Sequence, residues 1–114
     1  MSSDEGLSRL EYHVLLAMAP GPLYGYALKE AVEAESDGAV APRAGSLYRV
    51  IARLIRQGVV EETDPPADAA PHPGRARRYY ALTRDGRGLL AEETTRLRAA
   101  AALAEKRLGA LEGR

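Results

Sequence analysis

The sequence predicts a mainly α-helical fold with a small β-hairpin (α+β), in the order helix, helix, helix, strand, strand, long helix. Three observations carry that expectation. Apolar residues recur at helical spacing in three runs before residue 58, each closed by a breaker or a glycine. Two short β-prone stretches, 59–63 and 77–82, flank a segment with four prolines between Pro65 and Gly74. From Leu90 onward, leucine and alanine return every seven residues.

The first helix opens on Ser8-Arg9-Leu10-Glu11, a capping box. The serine oxygen accepts from the backbone N–H three residues on, and the glutamate reaches back to the serine N–H. Leu7, Leu10, Val14, Leu15 and Met18 share its apolar side, and Ala19-Pro20-Gly21-Pro22 stops it. A second helix is expected from about Leu23 to Glu35, with Leu28, Ala31 and Val32 inward and Lys29, Glu30 and Glu33 in solvent. Ser36-Asp37-Gly38 ends it, and Ala39-Val40-Ala41 is a candidate strand stub. The third helix spans about Ala44 to Gln57, with Gly58 at the expected left-handed C-cap. Val59 to Thr63 and Arg77 to Leu82 then form the hairpin, and Thr83 caps the last helix. In that helix Leu90, Leu97, Ala104 and Leu111 alternate with Thr94, Ala101 and Leu108, a heptad seam of small and medium residues.

At 114 residues the chain divides into one domain, 1–84, and a helical extension, 85–114. The extension's sevenfold spacing predicts pairing with a second copy, as does the small core that so short a domain can bury. Leu7 and Leu10 are expected to join that interface. The absence of cysteine excludes a disulfide framework, thiol catalysis and cysteine-ligated zinc, and fits a reducing cytoplasm. No apolar run approaches the ~20 residues of a membrane span, and the acidic Met1-Ser2-Ser3-Asp4-Glu5 start lacks a signal-peptide pattern. Only His13 and His72 supply imidazoles, and neither a phosphate-cradling nor a dinucleotide-binding glycine motif is present. An enzyme, a metal centre and a cofactor are therefore not expected.

Net charge is zero, but it is unevenly placed. Residues 1–42 carry seven acids and two bases; residues 43–78 carry seven bases and four acids. No acid interrupts the span from Arg43 to Val60. At about 100° per residue, Leu47, Val50, Ile51 and Leu54 leave one side of the third helix. Arg49, Arg53 and Arg56 leave the other, flanked by Ser46. Three arginines on one helix face, with no carboxylates beside them, point to a polyanion, and the DNA major groove is the natural one. Three helices followed by a two-stranded wing form the winged helix-turn-helix arrangement.

The chain resembles the PadR family of bacterial transcriptional regulators over about residues 7–90. The motifs are Gly21-Pro22-Leu23-Tyr24-Gly25-Tyr26-Ala27-Leu28, Gly45-Ser46-Leu47-Tyr48-Arg49, Arg53-Leu54 with Gly58-Val59-Val60, and Arg78-Tyr79-Tyr80-Ala81-Leu82-Thr83 with Gly86. Pro42-Arg43-Ala44 stands where many relatives place proline or glycine before the second motif, and the C-terminal segment is of the short-tailed type. The resemblance implies a dimeric, repressor-like regulator that binds an inverted-repeat operator and is released by a small-molecule effector; the dimer interface is the expected place for that effector.

The expected DNA contacts follow. Arg43, Ser46 and Arg49, at the start of the third helix, are best placed for base edges or nearby phosphates, with Arg53 behind them. Arg56 ranks lower, since a cation at a helix C-terminus also serves the dipole. Tyr48 sits at the margin of the apolar face, where its hydroxyl can reach a phosphate. Tyr24 and Lys29, at and near the start of the second helix, are further phosphate candidates, while Tyr26 is expected in packing. Strand alternation separates Arg77 from Arg78, so Arg75 with Arg77 is the expected wing pair. His72 is expected to be a solvated loop residue. The expected dimer contacts are Leu7, Leu10, Leu90, Leu97, Ala101, Ala104, Leu108 and Leu111. The rival functions are a winged-helix module that binds protein, or a ligand sensor, neither binding DNA.

Overall fold

The computed structural model describes residues 6–69 and 77–112. Its elements are α1 (Arg9–Met18), β1 (Leu23–Tyr24), α2 (Gly25–Glu35), α3 (Ala44–Arg56), β2 (Val60–Thr63), β3 (Tyr79–Leu82) and α4 (Arg84–Glu112). The capping box forms as expected. Ser8 N–H donates to Glu11 Oε1 at 2.8 Å, and Glu11 N–H donates to Ser8 Oγ at 3.1 Å.

The wing is not a simple hairpin. β1 pairs antiparallel with β3, which also pairs with β2, giving the order β1-β3-β2. Leu23 and Tyr24, expected to begin the second helix, lie opposite Tyr80 and Tyr79 instead. The helix therefore starts at Gly25, with extended Tyr24 as its N-cap. The expected strand stub at Ala39–Ala41 does not form. Ser36 Oγ accepts from Val40 N–H at 2.9 Å and lies 3.2 Å from Val40 O, so a side chain satisfies backbone groups that a ladder would use. That clasp buries Val40 and sets the turn from α2 into α3.

α3 ends on a Schellman motif. Gly58 is at φ +80°, its N–H donates to Ile55 O, and Val59 N–H donates to Leu54 O. The start of α4 is built onto that turn. Thr83 Oγ1 donates to Gly58 O at 2.6 Å and accepts from Gly86 N–H at 3.0 Å, capping the helix as expected. Gly86 lies so close to the Val59 carbonyl that a Cβ would collide with backbone.

One core joins all the helices. Val14, Leu15 and Met18 of α1, Leu28 and Val32 of α2, Leu47, Ile51 and Leu54 of α3, and Val60 and Leu82 of the sheet are buried together. Leu7, Leu10, Leu89 and Leu90 pack on its edge. Leu7, Leu10 and Leu90, expected at a subunit interface, are thus placed against their own domain. Tyr12 Oη and Thr94 Oγ1, 2.7 Å apart, fasten α1 to α4. Beyond this point α4 extends from the domain, and the molecule measures 63 Å along its longest axis.

Candidate nucleic-acid interface

α3 presents the two faces its sequence requires. Leu47, Val50, Ile51 and Leu54 are buried, whereas Arg43, Arg49 and Arg56 are exposed. Among the described residues, no carboxylate lies within ion-pair distance of those three arginines. Arg49 Nη2 donates to Ser46 Oγ at 3.3 Å, so these two expected contacts form one polar group near the helix start. The N-cap, Arg43, makes no side-chain capping bond, and the first turn holds no acid. The N-terminal N–H groups of α3 thus keep their affinity for an anion.

Arg53 behaves differently, and here the expectation of a carboxylate-free face is corrected. A carboxylate arrives from α1: Arg53 donates to Glu11 Oε2 through Nη2 at 2.7 Å and Nε at 3.3 Å. Burial works against ionisation of Glu11. The Ser8 N–H and the Arg53 guanidinium outweigh it and hold the carboxyl below the usual carboxylate range.

Tyr48 and Tyr24 meet the start of α2 from two sides. The Tyr48 phenol lies directly on Gly25, which has no room for a Cβ, and its ring remains 47% exposed. Tyr24 is held by β1 with its ring edge-to-face on Tyr79, centroids 5.7 Å apart. The Arg77 guanidinium sits 4.0 Å from the Tyr24 ring centre, a cation–π contact. Two candidates from distant segments are thus brought together. Tyr26, expected in packing, is 61% exposed, because it lies about 200° around α2 from buried Leu28 and so faces away from the core.

Other candidates are occupied locally. Lys29 Nζ binds Glu33 Oε2 at 2.9 Å, one turn along α2, and this bond raises the lysine's pKa. Arg78 lies 3.8 Å from Glu62 across the β2–β3 ladder. Burial pushes the Tyr80 phenol up, with help from the Glu62 charge. Arg75 and His72 lie outside the described residues.

Among the described residues, nothing covers the apolar stripe along the distal part of α4. Leu97, Leu108 and Leu111 are 44%, 56% and 59% exposed, and Ala101 and Ala104 are exposed between them. Leu103, which the heptad reading did not include, is exposed on the stripe's flank. At the root of α4 a pocket of about 390 Å³ is lined by Leu82, Leu90, Ala91 and Thr94, together with Arg87 and Arg98. No helix among the described residues is long and apolar enough to cross a membrane.

Sequence reasoning missed Glu11 as a partner of the recognition-helix face and Gly25 as the seat of Tyr48. The glycine was visible in the Gly25-Tyr26 motif. Glu11 was visible only as a cap, since its second partner is 42 positions away.

Comparison with known proteins agrees with this geometry. The family model described as "Transcriptional regulator PadR-like family" matches residues 14–92. An uncharacterized 37.1 kDa protein in transposon TN4556 of Streptomyces fradiae is 40% identical over 80 residues, 70% of this chain. The chain spans about a fifth of that relative's length, the aligned part being 20% of it. Among solved structures, a PadR family transcription regulator from Clostridium difficile R20291 superposes with a TM-score of 0.71 at 17% identity, covering 90% of this chain and 100% of its own. A PadR-like transcriptional regulator from Bacillus cereus strain ATCC 14579 gives 0.71 at 23% identity, covering 87% and 90%. Bacillus subtilis PadR in complex with operator DNA gives 0.62 at 19% identity, covering 75% and 46%. At these identities the solved structures establish a shared winged-helix fold.

Proposed function

The chain belongs to the PadR-like family of transcriptional regulators, and on that premise we propose that it is a sequence-specific DNA-binding repressor that acts as a homodimer on an inverted-repeat operator. The observation that carries this reading is the exposed cationic face of α3. Arg49 and Arg56 lie on a helix whose other face is locked into the core, and Arg43 stands at its N-cap. A helix held rigidly by one face and offering unpaired guanidinium groups on the other is what major-groove recognition requires. The structural likeness to a regulator solved with operator DNA supports the same reading.

In this reading residues 1–84 contact DNA and 85–114 join two copies. Arg49 and Ser46 address base edges, Arg43 and Tyr48 the adjacent phosphates, and Arg77, stacked on Tyr24, the backbone beside the groove. Arg75 is proposed to act with Arg77. Leu97, Ala101, Ala104, Leu108 and Leu111 form the seam between copies. A small-molecule effector would release the operator by favouring one spacing of the two α3 helices over another. The pocket at the root of α4 supports such a site, since a ligand there touches the helix that sets the spacing. The work would be done in the cytoplasm, where the operator is.

The test is binding of the full chain to DNA from its own upstream region against mixed-sequence competitor, with Arg49→Ala beside it. The expected result is preferential binding by the wild type that Arg49→Ala weakens. Salt-insensitive retention without preference would instead favour a protein-binding winged helix.

A further inference from the structure

Of the three arginines that α3 aims away from the core, the middle one does not stand free. Arg53 places two donors on a single oxygen of Glu11, and the other oxygen of that carboxylate accepts from Ser8 N–H at 2.8 Å. Glu11 is therefore fixed at both ends. One oxygen completes the α1 cap and the other holds the guanidinium, and its side chain is only 14% exposed against 43% for Arg53. A swing of Glu11 away from Arg53 would also break the capping box, so the contact is anchored more firmly than an ordinary surface ion pair.

A carboxylate and a phosphate diester satisfy a guanidinium through the same N–H···O geometry and compete for it. We propose that Glu11 is a positioning residue that withholds Arg53 from the DNA backbone and so limits sequence-independent binding. This rests on the DNA-binding reading above. Neutralised phosphates supply most of the affinity for any duplex whatever its sequence. An arginine masked by an internal acid subtracts from that indiscriminate attraction. It leaves the groups near the start of α3, Arg49 with Ser46 and Arg43, to meet the duplex. Glu11 thereby lowers the sequence-independent part of the attraction and leaves the base-edge contacts of Arg49 and Ser46 untouched.

The test uses the full chain and a short mixed-sequence duplex, with affinity measured across a salt series. Glu11→Gln keeps an acceptor for Ser8 N–H, since glutamine also serves in a capping box, but removes the charge that holds Arg53. It is expected to bind the duplex more tightly and to steepen the fall of log K with log salt by about 0.9 per released arginine. Arg53→Ala in the wild-type background is expected to leave the slope unchanged. In the Glu11→Gln background it is expected to return the slope to the wild-type value. A mere loss of packing would lower the melting temperature without producing this pattern. An unmoved Glu11→Gln slope, or a flatter slope for Arg53→Ala alone, overturns the proposal while the DNA-binding reading stands. Failure of both the wild type and Glu11→Gln to bind in the low-salt limit overturns both.

Discussion

α3 and the distal half of α4 are both amphipathic helices, and they leave opposite faces to solvent. α3 buries Leu47, Val50, Ile51 and Leu54 in its own domain and exposes arginine. Beyond Arg96, α4 exposes Leu97, Ala101, Ala104, Leu108 and Leu111 and buries none of them. The first helix lacks an anion and the second lacks an apolar surface. One chain therefore shows two incomplete interfaces of different chemistry, and the difference indicates what completes each. Guanidinium groups near an uncapped helix start select phosphates and base edges. A sevenfold leucine and alanine stripe selects another helix.

The contrast can be broken first on the α4 side, where the largest effect is expected. Leu97→Asp with Leu108→Asp places two carboxylates in the proposed seam, and unpaired buried charge costs several kcal/mol per ion. Sedimentation of this variant should show a monomer with its helix content retained; a wild-type dimer unaffected by both charges would remove α4 from the interface. On the α3 side, Leu54 is fully buried. Leu54→Ala should cost about 2–5 kcal/mol of folding stability in a denaturant melt, because it opens a cavity beneath the recognition helix. Arg49→Ala acts on the opposite face of the same helix and should leave the melt nearly unchanged. It should weaken operator binding by about 1–3 kcal/mol and relax the preference at one base pair.

Smaller effects sharpen the contrast. Tyr24→Leu removes the ring beneath Arg77 and should weaken DNA binding by about 0.5–1 kcal/mol, with Tyr24→Phe restoring it. An equal loss in an Arg77→Ala background would show that Tyr24 does not act through that arginine. The smallest effect is on acid stability, since Arg53 is 43% exposed and solvent screens its pair. The folded-state pKa of Glu11 lies below its unfolded value. Its contribution is therefore present above the unfolded carboxylate pKa of about 4.3 and is lost as pH falls through the folded pKa. The melting-temperature advantage of wild type over Glu11→Gln should shrink across that acid range; an advantage constant from neutral pH to acid would exclude the ion pair as its source.

Much of the fold was legible because its signals are local. Ser8 with Glu11, Gly58 at its positive φ and Thr83 before α4 each act within a few residues, so sequence spacing alone fixes them. β1 was not legible: a two-residue strand has no period, and Leu23-Tyr24 reads equally well as a helix start. Its existence depends on Tyr79 and Tyr80, more than fifty positions away. The site divides the same way. The face of α3 follows from helical geometry, but the partners Glu11 for Arg53 and Tyr24 for Arg77 exist only once the core has brought α1 to α3 and β1 to β3. Periodicity likewise placed Leu90 and Leu97 on one stripe without separating the leucine that covers its own core from the one left exposed.

The most direct test joins both interfaces in one measurement. The 114-residue chain would select duplexes from a random-sequence pool, and the enriched DNA would be footprinted and its bound protein counted. The account predicts two chains per duplex and two protected half-sites of inverted sequence, their centres about 34–36 Å or a multiple of that apart along the helix axis. Enrichment of no sequence, or a single unsymmetrical footprint from one chain, would contradict it.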